Sequence, residues 1–296
     1  MEILRAHDMG FCYGVRRAVE MMHEAAGERG QIASLGSIVH NPLVIERLGE
    51  QGVDVITSLD EVGERPVAIT AHGVGPQIMD EIERRGFDVI DTTCPIVTRA
   101  QQWARKLTDE GYAVIVFGDP NHKEVRGILG WAMGKAMAVQ DEAAIEALPA
   151  RLPSRVAVLS QTTHTEAHFA SFVRRLFETR MDRISELRVI NTLCNATTSQ
   201  QAAVEELAPK VEVMVVVGGR ESANTRHLAE ICQELGTRAY HIERAEELQP
   251  EWFTGVNSVG LTAGASTPDF SVDAVQERLQ AIGKELETAD GGGVRL

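Results

Sequence analysis

The sequence is short of positive charge, of long apolar runs and of paired cysteines. Lys plus Arg total 29 against 43 Asp plus Glu, a formal net charge of −14 over 296 residues, which argues against a nucleic-acid-binding or anionic-membrane-binding surface. The strongest apolar run, Val213-Met-Val-Val-Val217, is far too short to span a bilayer. The opening Met1-Glu-Ile-Leu-Arg-Ala-His-Asp8 contains no apolar signal region. A cytoplasmic location with reduced thiols is therefore expected, with no membrane and no nucleic-acid partner. Of the four cysteines, Cys12, Cys94, Cys194 and Cys232, none forms the close CxxC pair of structural zinc sites or the clustered spacing of ferredoxins. Low complexity is confined to the C-terminal stretch 290–296, which reads as disordered.

What remains is 44% hydrophobic and 24% charged, the composition of a globular chain long enough for two or three domains. Three of its cysteines stand in one repeated context: a short apolar strand, a polar turn, the cysteine, then an amphipathic helix. The turns are Asp8-Met-Gly-Phe-Cys12, Asp91-Thr-Thr-Cys94 and Asn191-Thr-Leu-Cys194. Beyond each, apolar residues recur at helical spacing: Val15, Ala18, Val19 and Met22; Val97, Ala100, Ala104 and Leu107; Ala196, Ala203, Val204 and Leu207. Pro95 suits a first helical position. A thiol at a helix N-terminus sits where backbone N–H groups favour the thiolate, the form that binds metal. One such cysteine would read as a buried core thiol, and Cys232, on the apolar face of a helix, reads that way. Three in matching contexts read as a site.

Strands are expected at 32–35, 53–56, 67–70 and 89–91 between the first two of these cysteines, and at 113–117, 136–139, 156–159 and 188–190 between the second and third. Only 213–217, 239–242 and 258–261 follow Cys194, so the fourth strand of the last group is assigned to Ile3 and Leu4 at the N-terminus. The chain then consists of three α/β modules with parallel sheets, 13–93, 94–193 and 194–296, the last completed by 1–12, in a pseudo-threefold trefoil. An ordinary two-domain α/β enzyme is the alternative. The loops repeat as well. First strands run into Gly36-Ser-Ile-Val-His40, Gly118-Asp-Pro-Asn-His122 and Gly218-Gly-Arg-Glu-Ser222; third strands run into Ala71-His-Gly73, Gln161-Thr-Thr163 and Ala263-Gly-Ala-Ser266. Ligands of parallel sheets bind beyond the carboxyl ends of strands, and helix N-termini there favour anions.

Three thiolates leave a tetrahedral metal, or a cubane cluster, one ligand short, the open position of a catalytic rather than a structural site. An iron–sulfur cluster suits an all-thiolate set at least as well as zinc does. Glu124, two residues past His122, is a candidate general acid, or a carboxylate interacting with a helix N-terminus.

Together, Gly10-Phe-Cys-Tyr-Gly-Val15, Val39-His-Asn41, Ala71-His-Gly-Val74, Asp91-Thr-Thr-Cys-Pro95, Asn121-His-Lys-Glu-Val125, Ser160-Gln-Thr-Thr163, Cys194-Asn-Ala-Thr197, Ser222-Ala-Asn224 and Thr262-Ala-Gly-Ala-Ser266 resemble the 4-hydroxy-3-methylbut-2-enyl diphosphate reductase family of isoprenoid biosynthesis. The resemblance runs over nearly the whole chain. It implies a trefoil around a [4Fe–4S] cluster held by Cys12, Cys94 and Cys194, its fourth iron taking the substrate's allylic hydroxyl. It also implies Glu124 as proton source, His122 and Thr162 in a hydrogen-bonded relay at the substrate, and His40, His72, Ser222, Asn224 and Ser266 around the diphosphate. An electron donor such as ferredoxin or flavodoxin and a monomeric state complete the expectation. Ala223 stands where many relatives have a second serine, and Asn195 where some have an aromatic; neither is a cluster ligand or the acid. A quinolinate-synthase-like dehydrating enzyme with a three-cysteine cluster, and a non-catalytic protein that carries a cluster or zinc, are the rival readings. The His-Lys-Glu loop with Ser222, Asn224 and Ser266 suits a diphosphate better than the first rival does.

Overall fold

A computed structural model describes residues 1–149 and 152–291; of the glycine-rich end read above as disordered, 292–296 lie outside the described residues. In chain order its regular elements are β1 (Glu2–Arg5), α1 (Tyr13–Arg29), β2 (Ile32–Leu35), α2 (Pro42–Gly49), β3 (Val53–Ile56), β4 (Val67–Ile69), α3 (Pro76–Arg85), β5 (Val89–Asp91), α4 (Pro95–Asp109), β6 (Ala113–Phe117), α5 (Lys123–Trp131), β7 (Ala136–Val139), β8 (Arg155–Ser160), α6 (Glu166–Arg180), β9 (Glu186–Val189), α7 (Asn195–Leu207), β10 (Val213–Val217), α8 (Ala223–Glu234), β11 (Arg238–Ile242), β12 (Ser258–Ala263) and α9 (Asp269–Gly291). They form three parallel four-stranded sheets with one shared order: β3-β2-β4-β5, β7-β6-β8-β9 and β11-β10-β12-β1. The strand assigned from afar is where the repeat requires it, Glu2 to Arg5 pairing with Ser258 to Leu261.

The strand limits depart from expectation by a residue or two. Thr70 falls outside β4 because its carbonyl accepts from Gly73 N–H and turns the chain at 2.9 Å. β9 starts at Glu186, in register with Arg155 of β8.

Contacts divide the chain into two compact units, one of 1–13, 40–44 and the chain from 195 onward, the other of 14–39 and 45–194. In the first unit every residue of β10 is buried, as a central parallel strand covered on both faces must be. Val213, Val215 and Val217 meet Val275, Leu279 and Ile282 of α9. Met214 and Val216 meet Val204 and Leu207 of α7 and Leu228, Ile231 and Cys232 of α8. Each such large aliphatic chain contributes ~1.5–3 kcal/mol by leaving water. Cys232 is the core thiol expected, fully buried, and burial pushes its thiol up to about 12.

The second unit holds two sheets. Val114 and Val116 of β6 face Ala100, Ala104 and Leu107 of α4 with Val125 and Ile128 of α5, while Ile115 and Phe117 face Phe169, Phe172 and Leu176 of α6. In the other sheet Ala33, Val67 and Ile69 pack with Ile82 of α3. No helix among the described residues is long and apolar enough to cross a membrane.

Candidate active site

Six loops leave the carboxyl ends of the strands, and all six run into helices: α2, α5 and α8 after the first-strand loops, α3, α6 and α9 after the third-strand loops. Their backbone repeats bond for bond. Gly36, Gly118 and Gly218 each donate N–H to the last residue of the neighbouring strand, Ile56, Val139 and Ile242, at 2.9 Å in each case. A side chain is disfavoured at all three: an added Cβ would stand 2.8 Å from Gln161 Cβ at Gly118 and 2.7 Å from Thr225 Oγ1 at Gly218, while Gly36 holds a left-handed φ of +91°.

The three cysteines repeat in the same way. Each immediately precedes its helix, α1, α4 or α7. Each donates its backbone N–H to a carbonyl in the third-strand loop of its own sheet: Cys12 to Ala265 at 3.1 Å, Cys94 to Ala71 at 3.0 Å, Cys194 to Thr162 at 2.9 Å. Pro95 opens α4 with Cys94 as N-cap residue. The expectation that the helix start favours the thiolate needs correcting at Cys94. The amides of Ile96 and Val97 do act in that direction, but burial outweighs them and pushes the thiol up, with Cys194 and Glu124 adding in the same sense. A buried thiol loses more from desolvation than two amides return.

In the first unit the structure joins Cys12, His40, Ser222, Asn224 and Ser266 into one connected set. Ser266, next to Ala265, donates its hydroxyl to the His40 carbonyl at 3.1 Å. That carbonyl lies against Gly219, where a Cβ would stand 2.2 Å away. His40 Nδ1 is 3.7 Å from a carboxylate oxygen of the exposed Glu221. Ser222 caps α8, its hydroxyl accepting from Thr225 N–H at 3.3 Å. Asn224 donates Nδ2 to Gln200 Oε1 at 3.0 Å, and Gln200 donates Nε2 to the Gly10 carbonyl at 2.8 Å, two residues before Cys12. Ser222, Asn224 and Ser266 are 6%, 3% and 6% exposed, so these are buried polar groups at a helix start and not ordinary surface loops. Among the described residues Asn224 Oδ1 has no hydrogen-bond partner.

In the second unit His72, Cys94, His122, Glu124, Thr162 and Cys194 are joined likewise. The His72 and His122 rings meet edge to face with centroids 5.6 Å apart. His122 caps α5 by accepting the Glu124 N–H on Nδ1 at 3.2 Å, which fixes that nitrogen as the unprotonated one in this geometry. Glu124 is 2% exposed. Its Oε1 accepts the Thr162 N–H at 2.7 Å and its Oε2 meets the Thr162 hydroxyl at 2.9 Å. Burial drives the carboxyl up to about 7, against the two Thr162 hydrogen bonds. Because Oε1 faces an N–H donor, the acidic proton belongs on Oε2, where the hydroxyl can turn to accept it. Glu124 is therefore a group that holds or releases a proton near neutral pH, the property a general acid needs. Glu124 does lie in the first turn of α5, as the alternative reading had it, but there it is buried and bonded to Thr162.

Two features escaped the sequence reading. Gln200 sits within the apolar stripe of α7, between Ala196 and Ala203, and is 2% exposed; a glutamine inside such a stripe was the available signal. Gly14 abuts Cys94, a Cβ there standing 2.5 Å from the sulfur, and that approach links residues remote in sequence.

Comparison with known proteins bears on the fold and the family. The LytB protein family matches residues 3–280. A 4-hydroxy-3-methylbut-2-enyl diphosphate reductase of Dehalococcoides mccartyi (strain CBDB1) is 42% identical over 282 residues, 95% of this chain and 99% of that protein. The reductase of the same name from Geobacter sulfurreducens is 43% identical over 284 residues, covering 95% and 97%. Among solved structures, the E-1-hydroxy-2-methyl-but-2-enyl-4-diphosphate reductase of Plasmodium falciparum aligns with a TM-score of 0.87 at 27% identity, over 95% of this chain and 87% of that one. A second, (E)-4-hydroxy-3-methyl-but-2-enyl diphosphate reductase, the terminal enzyme of the non-mevalonate pathway, aligns at 0.68 with 41% identity, over 95% and 100%. With one family covering almost its full length, the chain belongs to the LytB family.

Proposed function

We propose that this chain reduces (E)-4-hydroxy-3-methylbut-2-enyl diphosphate to isopentenyl and dimethylallyl diphosphate, in isoprenoid biosynthesis by the methylerythritol phosphate route. The balance is substrate plus two electrons and two protons giving product plus water: the allylic C–O bond breaks, one proton leaves with the hydroxyl as water, and one ends on carbon. The observation that carries the reading is the threefold repeat of a cysteine whose N–H is tied to the adjacent loop, beside a buried carboxyl that titrates near neutrality.

Three thiolates, one ligand short of four, suit a [4Fe–4S] cluster with one open iron. The residues fit it: Cys94 is seated against a glycine that admits no side chain, and its reluctance to ionise arises from burial and neighbouring negative charge, which coordination to a cation relieves. When bound, such a cluster supplies electrons one at a time and Lewis-acid polarisation of a C–O bond. Cys12, Cys94 and Cys194 would hold it. With module bounds 13–93, 94–193 and 194–296 completed by 1–12, Cys12 and Cys94 flank the first module, Cys94 and Cys194 the second, and Cys194 and Cys12 the third.

The chain's own residues account for the rest. Glu124 delivers a proton from Oε2 to the Thr162 hydroxyl oxygen, which releases its own hydrogen away from Glu124 towards the substrate, with His122 beside them. Ser222, Asn224, Ser266, His40 and His72 receive the diphosphate. This set contains no Lys or Arg, so a multiply charged anion rests on histidines, hydroxyls, an amide and the N–H groups at the start of α8. We place the protein in the cytoplasm as a monomer served by a ferredoxin or flavodoxin.

The deciding experiment is anaerobic purification with iron and sulfide counts, followed by addition of the hydroxylated diphosphate and a chemical reductant. Four irons with formation of both products support the reading; zinc in place of iron, or no turnover, overturns it.

A further inference from the structure

Resting on that reading, we infer that Arg17, Arg99 and Gln200 form a cyclic clasp, in which the helix after each cysteine holds the loop that carries the next cysteine. Arg17 lies on α1, five positions past Cys12; its Nη1 donates to the Thr93 carbonyl at 3.2 Å, one residue before Cys94. Arg99 lies on α4, five positions past Cys94; its Nη2 donates to the Asn191 carbonyl at 2.7 Å, three residues before Cys194. Gln200 lies on α7, six positions past Cys194; its Nε2 donates to the Gly10 carbonyl at 2.8 Å, two residues before Cys12. The links run first to second, second to third and third to first.

The chemistry of each link follows from its surroundings. A strand that ends in a turn leaves carbonyls that no ladder partner satisfies, and a donor must come from elsewhere. In a chain with this acidic excess, many arginines have a carboxylate within reach; among the described residues Arg5, Arg29, Arg65, Arg84, Arg85, Arg105, Arg155, Arg183, Arg188, Arg220 and Arg278 do. Arg17 and Arg99 make no ion pair there, and their one hydrogen bond apiece goes to a cysteine loop. Both are partly exposed or exposed, so water solvates the unused part of each guanidinium. The third position is buried, where a guanidinium would be an uncompensated charge. A neutral amide serves instead.

Gln200 has a second duty. Since the Gly10 carbonyl can only accept, Gln200 must turn Nε2 towards it, which leaves Oε1 to accept from Asn224 Nδ2 at 3.0 Å. The orientation of the Asn224 amide, in the set assigned to the diphosphate, is thereby tied to the Cys12 loop. These three are positioning residues: none is a ligand or an acid.

The test uses the full chain, loaded anaerobically, and its variants Arg17→Met, Arg99→Met and Gln200→Leu. Iron release to a chelator is timed while iodoacetamide traps each cysteine as it comes free, and mass spectrometry reads which is labelled first. The same labelling is repeated on the reduced, metal-free chain. The clasp predicts a crossed pattern: Arg17→Met frees Cys94, Arg99→Met frees Cys194 and Gln200→Leu frees Cys12, each labelled up to ~10-fold faster, the scale of one lost hydrogen bond. Arg99→Lys, which keeps a donor, should restore much of the wild-type rate. Labelling that is unchanged, that rises equally at all three cysteines, or that rises at the cysteine of the substituted helix overturns the clasp. A wild-type chain that carries no cluster overturns the functional reading instead, and the metal-free labelling then still decides the clasp.

Discussion

Glu124→Gln is expected to abolish a component of stability that falls as the pH rises. The carboxyl has an ordinary value of 4.5 and is held at about 7 in the folded chain, so the native state keeps its proton over a range in which the unfolded chain has released it. The sign follows from the proton count. Below about pH 4.5 both states are protonated and the stabilisation is complete; between there and pH 7 the folded state binds more protons and stability declines; above pH 7 the loss is complete. At about 1.4 kcal/mol per pH unit, the total is ~3 kcal/mol. Gln is suited as the probe, because its Oε1 can accept the Thr162 N–H and its Nε2 can donate to the Thr162 hydroxyl, the same bonds that protonated Glu124 makes. Urea unfolding of wild type and variant should be followed at pH 5, 6, 7 and 8 and the two curves subtracted, so that other titrating groups cancel. Wild type should lose stability relative to the variant across that range. A flat difference, or one that favours wild type at high pH, would refute the assignment of a neutral buried carboxyl. Infrared titration of the carboxyl stretch should show the same midpoint.

Other expectations rest on single contacts. Thr162→Val removes the hydroxyl that opposes the burial effect on Glu124, so the alkaline limb of the activity profile should move to higher pH; a limb that stays or moves down contradicts the pairing. Gly14→Ala places a methyl group 2.5 Å from the Cys94 sulfur, and a side chain forced into a packed site costs ~1–3 kcal/mol; iron content after purification should drop, and an unaltered count would show that the cradle is not needed. Cys232→Ala should leave iron and sulfide counts intact, since this thiol is fully buried in the α8 core and held at about 12; alkylation of native protein should spare it. Because the diphosphate set lacks Lys and Arg, inorganic pyrophosphate should bind more weakly as the pH is raised from 6 to 8, through the range near ~6.5 in which histidines ordinarily lose charge. Because pyrophosphate itself titrates over that interval, the comparison is with His40→Asn and His72→Asn, and a calorimetric pH dependence identical in wild type and both variants would mean that neither histidine carries the charge.

What could be read from the chain alone was local and periodic. Strands such as 213–217 and 113–117 announce themselves as short apolar runs, and the helices after Cys12, Cys94 and Cys194 by spacing of apolar residues, because side-chain direction repeats every two residues in a strand and every 3.6 in a helix. The repeat of those patterns located the displaced strand at the N-terminus, and the structure places β1 in that fourth position. The loop residues were found by their equal stations after equivalent strands. Tertiary structure decided what those residues are: packing removes water from Glu124 and drives its carboxyl up to about 7, and the Cys94 thiol is pushed up chiefly because burial exceeds the pull of its own helix, with Cys194 and Glu124 adding to it. It also decided the role of Gly14, and the links from Arg17, Arg99 and Gln200 to distant loops. Burial and long-range hydrogen bonds depend on which surfaces meet, and no local period encodes that.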